Sequence, residues 1–576
     1  MVNLTGRRPT RPPLWDYQQI MPAEPTWFGP GDRPLAGWLH TPDGATARGG
    51  VLICPPIGLE YVNSHRALRR LAEIAATLGF VALRFDYDGT GDSAGTLADP
   101  DRVDAWRDSV RAAIDLLRST VGAAPLAVVG LRLGLTLAAE VVTADEVDLI
   151  TMVAWDPAPS GRRFFREQSA LGRFSDAEPS LDGSVDAPGF YFDADTVAAA
   201  DELDLSRITR QPAATILVLP RAETNPNTTR LGAIGKNATV EAVKGQLEFL
   251  DVPSPQSLLP TDTLNTITAW LDCQCPSERF PYVVRRTVDA DICASDGSTV
   301  TERFLRVGPL GLIAVETTPA IGAPTRSVLL LNNAIEHHVG PVRLWTETAR
   351  AWARTGARVV RIDLSGIGDS PNRPGGAEDI MYDKGAVADV KEFVDHLGLE
   401  PAELTLVGLC SGAHLAVHAG AALGVSAVIA VNPVTTELLA PLPAGPTVEF
   451  GPRWQWPRKV LGALKLHDAA RVVAQAGRKV LPRIPAAVWR LAVNSRVVHS
   501  PAAGLLALTN TNTRLLLVCG PEDSYGYRTK GKADLRKLQQ TSSIRLIWVD
   551  DLAHVPMARR QRLVISQIMT DFLHEA

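Results

Sequence analysis

Cysteine is scarce, six in 576 residues, too few for the disulfide framework of a small secreted protein. Cys273 and Cys275 stand as a C-x-C pair, but no second pair follows at the spacing of a zinc site. Neither sign of charge dominates: 58 Lys+Arg against 63 Asp+Glu leave a formal net charge of −5. That balance gives no electrostatic reason to expect nucleic acid or an anionic membrane as partner. No window reaches the ~18 consecutive apolar residues of a membrane span, and the opening MVNLTGRRPTRPP has no apolar signal core. A Walker sequence is missing. Gly89-x-Gly91 and Gly366-x-Gly368 lack the third glycine of a dinucleotide fingerprint. The expectation is a cytoplasmic protein with no metal, nucleotide or flavin cofactor. What is present is globular, with 45% hydrophobic and 21% charged residues. At this length one core is not enough, since single cores stop growing near ~250–300 residues.

The sequence contains itself twice. Gly79–Ser93 (GFVALRFDYDGTGDS) lies over Gly356–Ser370 (GARVVRIDLSGIGDS) at an offset of 277 without a gap. Arg84, Asp86, Gly89, Gly91, Asp92 and Ser93 find identical partners there. Val51–Cys54 falls over Val328–Leu331, Gly130–Gly134 over Gly408–Gly412, and Asp156-Pro157 over Asn432-Pro433. Each copy alternates short apolar runs with helical stretches: Ala67–Leu78 and Ala105–Leu117 in the first, Leu344–Arg354 and Val387–Leu397 in the second. Runs that are apolar throughout suit strands buried on both faces, and the alternation suits a mostly parallel sheet with helices on both sides. An α/β architecture of two tandem domains is expected: a flexible arm over 1–24, then 25–276 and 277–576. The Pro-, Arg- and Trp-rich stretch 434–512 reads as a cap insertion over a site, with 158–211 as its counterpart.

Ligands gather at the C-terminal ends of parallel strands. In the second copy the run Leu404–Val407 leads into Gly408-Leu409-Cys410-Ser411-Gly412 and a helical stretch. Small residues on either side of an exposed residue at a sharp strand-to-helix turn are the physical content of a nucleophile elbow. An acid, Asp523, follows the strand-like Arg514–Cys519, and His554 follows Arg545–Val549. On these three ordered elements residues 280–576 resemble an α/β-hydrolase domain. The resemblance implies Cys410 as nucleophile, His554 as general base and acid, and Asp523 as the residue orienting His554. It implies an oxyanion hole from the N–H of Ser411 and one from the loop holding Asn333 and Ala334. Cysteine replaces the usual serine, as in dienelactone hydrolases and polyhydroxyalkanoate synthases. A thiol beside an imidazolium and a helix N-terminus ionises readily, and its attack on an ester or thioester yields an acyl-cysteine.

Alternatives stand beside each assignment. Ser411 could be the nucleophile by a shift of one residue, and Glu522 or Asp551 could replace Asp523. His414 and His418 suit helix-face packing better than a metal. His337 and His338 suit either a substrate-contacting rim or a solvated loop.

The first copy has Arg132 at the elbow, and a guanidinium is no nucleophile. Its acid position keeps Glu223, but Val252 stands where His554 would be, and no histidine lies between His65 and His337. It is expected to be catalytically inert, with Arg132 holding either a ligand anion or a structural salt bridge. Such a copy could wall the neighbouring pocket, set contacts in a homo-oligomer, or bind an acyl carrier or regulatory ligand. The expected function is ester or thioester hydrolysis or acyl transfer on a small molecule, free or carrier-bound. The alternatives are a scaffold of two spent domains and a serine-aminopeptidase-like hydrolase.

Overall fold

The computed structural model describes residues 23–172, 182–221, 231–433, 442–443, 502–529, 531–541 and 543–575. Each half of the chain builds its own large sheet. From edge to edge the first runs Ala23–Phe28, Leu35–His40, Val81–Phe85, Gly50–Cys54, Leu126–Leu131, Thr151–Trp155, Thr215–Leu219 and Thr239–Val240. The second runs Asp289–Cys293, Thr299–Val307, Leu312–Pro319, Ala357–Ile362, Arg326–Leu330, Leu404–Leu409, Ala427–Val431, Arg514–Cys519 and Ile544–Trp548. Apart from Asp289–Cys293, the strands follow one another in the same spatial order in both. The leading strands pair antiparallel and the others parallel. These are two α/β domains.

The central strands are apolar throughout because both faces are covered. Over the first sheet, Leu59–Thr77 and Thr261–Gln274 pack on one face, Arg102–Val121 and Leu133–Ala144 on the other. Over the second, Leu344–Arg354 and Arg559–His574 face Ala386–His396 and Ser411–Leu423 across the sheet.

Several expected boundaries shift. Residues 1–22 of the expected arm lie outside the described residues, and Ala23 and Glu24 open an edge strand rather than belonging to an arm. Most of the expected cap, 434–441 and 444–501, also lies outside them. Its described parts are Leu442–Pro443, paired with Ile380–Met381, and the helix Ala503–Thr509. The helix expected from Ala67 begins at Leu59. Its extra turns carry Glu60, Asn63, Ser64 and His65, all buried: Glu60 meets Arg132 and Asn63 the carbonyls of Leu250 and Val252 within the first domain, while His65 reaches Asp369 of the second.

That contact has a two-fold logic. Arg84 of the first domain donates to Asp369 of the second at 2.5 Å, and Arg361 of the second pairs with Asp92 of the first. Both positions are related by the offset of 277. Each half thus presents the same patch to the other, the geometry of an isologous interface. Arg343 donates to the carbonyls of Gly91, Ser93 and Gly95 at 2.9, 2.6 and 2.8 Å. Beside the charges, Trp27, Ala36 and Trp38 of the first sheet share an apolar cluster with Ile292, Val300, Phe304 and Val315 of the second, with Trp27 stacked on Phe304 at 4.8 Å.

His338 lies at the centre. Its Nδ1 bonds Asp363 at 2.8 Å and its Nε2 bonds Asp92 at 2.7 Å. Burial works against a charge there, but the two carboxylates outweigh it and raise the imidazole well above its usual range. Burial likewise opposes charge on Asp92, and His338 and Arg361 outweigh it and hold that carboxyl well below the carboxylate range. His337 is also buried, stacked on His65 with centroids 3.9 Å apart and 3.2 Å from the Tyr61 hydroxyl. The expected rim contact with substrate therefore fails for both residues. They face the first domain, whose matching groups lie hundreds of residues away in sequence.

Candidate active site

The strand Leu404–Leu409 ends in a sharp turn, and Cys410 occupies it at φ 54°, ψ −113° before the helix Ser411–Leu423. Such a backbone costs about 1–3 kcal/mol and persists only where the surroundings over-determine it. Here they do. A Cβ on Gly408 would sit 2.1 Å from the carbonyl carbon of Gly412, and one on Gly412 would sit 2.5 Å from the Asn332 carbonyl oxygen. The Cys410 N–H donates to the Val431 carbonyl at 2.9 Å. The thiol is thereby lifted above the strand ends and stays partly exposed, whereas Cys54, Cys275 and Cys519 are buried.

His554 Nε2 lies 3.0 Å from Cys410 Sγ, and its Nδ1 lies 2.8 Å from Asp523 Oδ1. The structure brings together the three residues expected from chain order. Of the alternatives, Asp551 pairs with Arg560, and the Ser411 hydroxyl accepts from the Ala334 N–H at 2.7 Å rather than meeting His554. Burial on its own would lower the His554 pKa. Hydrogen bonding to Asp523 and Cys410, and their charge, outweigh it and raise the imidazole to about 10.

Residues 337–566 match the alpha/beta hydrolase family model. The second domain belongs to the α/β-hydrolase superfamily. Solved structures of similar fold include a CIB-like hydrolase from Thermoplasma acidophilum, 16% identical, covering 49% of this chain and 100% of its own with a TM-score of 0.29. Mouse alpha/beta hydrolase domain-containing protein 10 is 17% identical over 44% of this chain and 99% of its own, with a TM-score of 0.31. A thioesterase domain from the curacin biosynthetic pathway is 18% identical over 47% and 99%, with a TM-score of 0.27. No curated protein matches the sequence.

Of the two residues expected to supply the second oxyanion donor of this hydrolase domain, Ala334 turns its N–H toward the elbow at φ 50°. The Asn333 side-chain amide donates to Glu336 at 3.3 Å. Beside Ala334 and Ser411 lies a cavity of about 280 Å³, walled mainly by Leu364, Ile367, Ile380, Val387 and Leu415, with His414, His418, Asp383, Lys384 and Asp389 also in its lining. The two histidines line this cavity rather than pack into a core. Burial, with help from neighbouring His418, pushes His414 down to about 4, and burial lowers His418 too, so both are neutral near pH 7.

Sequence reasoning missed Asn432. Its side chain donates to the carbonyls of Ala553 and His554 at 2.8 and 3.0 Å and accepts from the Gly520 N–H at 2.8 Å. One amide thus ties the turn leading to Asp523 to the turn carrying His554. The only signal was its place, after a buried strand and before a proline, opposite Asp156 of the first copy.

The first domain repeats the elbow with an arginine where the second has Cys410. Arg132 holds φ 54°, ψ −125° at the same kind of turn. Its guanidinium donates to Glu60 at 3.0 Å and also to Glu167, which is the salt-bridge alternative and not a free anion site. Val252 offers only its carbonyl, to Asn63 at 2.8 Å, and Glu223 lies outside the described residues.

Proposed function

We propose that the second domain hydrolyses esters or thioesters through an acyl-Cys410 intermediate, with His554 moving the proton and Asp523 orienting it. One observation carries this reading: a strained, half-open thiol 3.0 Å from an imidazole whose far nitrogen is held 2.8 Å from a carboxylate. An imidazole that keeps its proton to about pH 10 suits a thiolate partner, which is the nucleophilic form. The sulfur attacks the substrate carbonyl carbon, and the C–S bond forms as charge moves to the carbonyl oxygen. The Ser411 N–H meets that oxygen, and rotation of the Ser411 side chain frees the Ala334 N–H to join it. Nε2 of His554 then gives its proton to the departing alkoxide or thiolate. Water attacks the acyl-cysteine, Nε2 takes a proton from it, and the carboxylic acid leaves as the C–S bond breaks.

The cavity beside the oxyanion donors, mostly apolar but with Asp383, Lys384 and Asp389 also in its lining, suits a largely hydrocarbon acyl group. No chemistry is assigned to the first domain. The test is intact mass spectrometry of protein quenched during turnover of p-nitrophenyl esters and acyl thioesters of graded chain length. A gain of one acyl group, mapped to Cys410, is expected. Turnover with no adduct on Cys410 would refute the covalent route.

A second expectation concerns pH. The protonated imidazole is the form favoured by its partners, so it is held below about pH 10 and lost above it. Because that proton goes to the leaving group, kcat/KM is expected to fall as pH rises through about 10. A profile that declines already at pH 8 would contradict the assignment.

A further inference from the structure

The first domain also reaches the segment that follows His554. The hairpin Val185–Ala187 and Phe190–Phe192 sets Gly189 at its tip, and the Gly189 N–H donates to the Met557 carbonyl at 3.1 Å. Met557 is three residues beyond His554, and its side chain packs on the hydrophobic core of the first domain. Tyr191, on the same hairpin, lies under the Arg559 guanidinium, 4.6 Å from its ring centroid. Gly189 has φ +83°, and a Cβ there would sit 2.1 Å from Val342 Cγ1, so only glycine lets the tip come this close. Val342 itself is buried among first-domain side chains. The segment carrying His554 is therefore gripped from both sides, by Asn432 of its own domain and by this hairpin of the other.

We propose that the first domain acts as a brace for the imidazole: Gly189 and Tyr191 are positioning residues that fix the segment from His554 to Met557 and so the reach of His554 to Cys410. The inference rests on the Cys410–His554 reading above. It gives an inert domain a part in the reaction without any chemistry of its own. General bases act only within hydrogen-bond reach, and misplacement by about 1 Å costs on the order of a hundredfold.

The test compares Gly189→Ala and Tyr191→Ala with wild type in the full chain. Cys410 alkylation by iodoacetamide is followed by peptide mass spectrometry at pH 6.5 and pH 9, alongside kcat and KM for a p-nitrophenyl ester and the melting temperature. In Gly189→Ala the ratio of the pH 6.5 rate to the pH 9 rate is expected to drop about tenfold or more, with kcat falling and KM unchanged. Tyr191→Ala, which adds no clash, is expected to shift both in the same direction by less, and it decides the matter if Gly189→Ala does not fold. Folded variants that keep the wild-type ratio and kcat overturn the brace alone. Wild-type Cys410 reacting no faster at pH 6.5 than the exposed Cys273 and Cys293 overturns the Cys410–His554 reading, and the brace with it.

Discussion

Cys410→Ala is expected to lower kcat for ester or thioester turnover by about a million-fold, His554→Ala by nearly as much, and Asp523→Ala by about ten-thousand-fold. The ranking follows from the contacts. In the proposed route Cys410 forms the bond that breaks later, and His554 handles the proton in both halves of the reaction. Asp523 touches only Nδ1, at 2.8 Å, so its loss leaves a nucleophile and a base in place but poorly aligned. The three act as a unit, so the double variant Cys410→Ala, His554→Ala should be no slower than Cys410→Ala alone. Melting temperatures should barely move, since the thiol and the imidazole are only partly buried and their removal opens no core cavity. Ser411→Ala serves as the control. It removes a hydroxyl that bonds the Ala334 N–H and should leave most of the turnover. Steady-state kinetics with an ester and a thioester would decide. Turnover that survives Cys410→Ala but not Ser411→Ala moves the nucleophile by one residue.

The second large effect concerns stability. Arg361 is completely buried and serves carboxylates from both domains. It pairs with Asp92 of the first and donates to Glu302 of its own at 2.9 Å. Arg350 adds a bond to Glu302 at 2.7 Å and another to the Asp92 carbonyl. Arg361→Met removes a charge from a site that water does not reach, and Asp92 and Glu302 are left under-compensated. Breaking one side of a buried pair typically costs about 3–5 kcal/mol, a large share of the usual net stability of a domain. Chemical denaturation of wild type and Arg361→Met should show a loss of that size. A loss below about 1 kcal/mol would mean that the network contributes little.

The same reasoning applies to residues 277–576 expressed alone. That fragment would expose Val300, Phe304 and Val315, which pack against Trp27 and Trp38, and would leave His338 without Asp92. It is expected to aggregate rather than to work as a separate enzyme.

The grouping of Cys410, Asp523 and His554 was legible in the sequence because each sits at the end of an apolar run, and runs and ends are local patterns. Cys410 is flanked by the two glycines its turn requires, and His554 is the histidine between the last strand-like run and the last helix. What was not legible depends on pairs far apart in the chain. His337-His338 looked like a loop near the oxyanion donors because the partners that bury it, His65 and Asp92, belong to the other copy. The first turns of Leu59–Thr77 carry polar residues whose partners, Arg132 for Glu60 and the Leu250 and Val252 carbonyls for Asn63, lie far along the chain. Asn432 shows only as an asparagine before a proline until the two turns it joins are brought beside it. The hairpin around Gly189 carries no motif, and its meaning comes from the carbonyl it meets in another domain.

Two identical subunits docked through this patch would be obliged to carry the same residue at both elbows. A single chain has no such obligation. Arg132 can lock one elbow with Glu60 while Cys410 stays open at the other, so a symmetric frame supports an asymmetric division of labour, in which one side is free to become pure scaffolding.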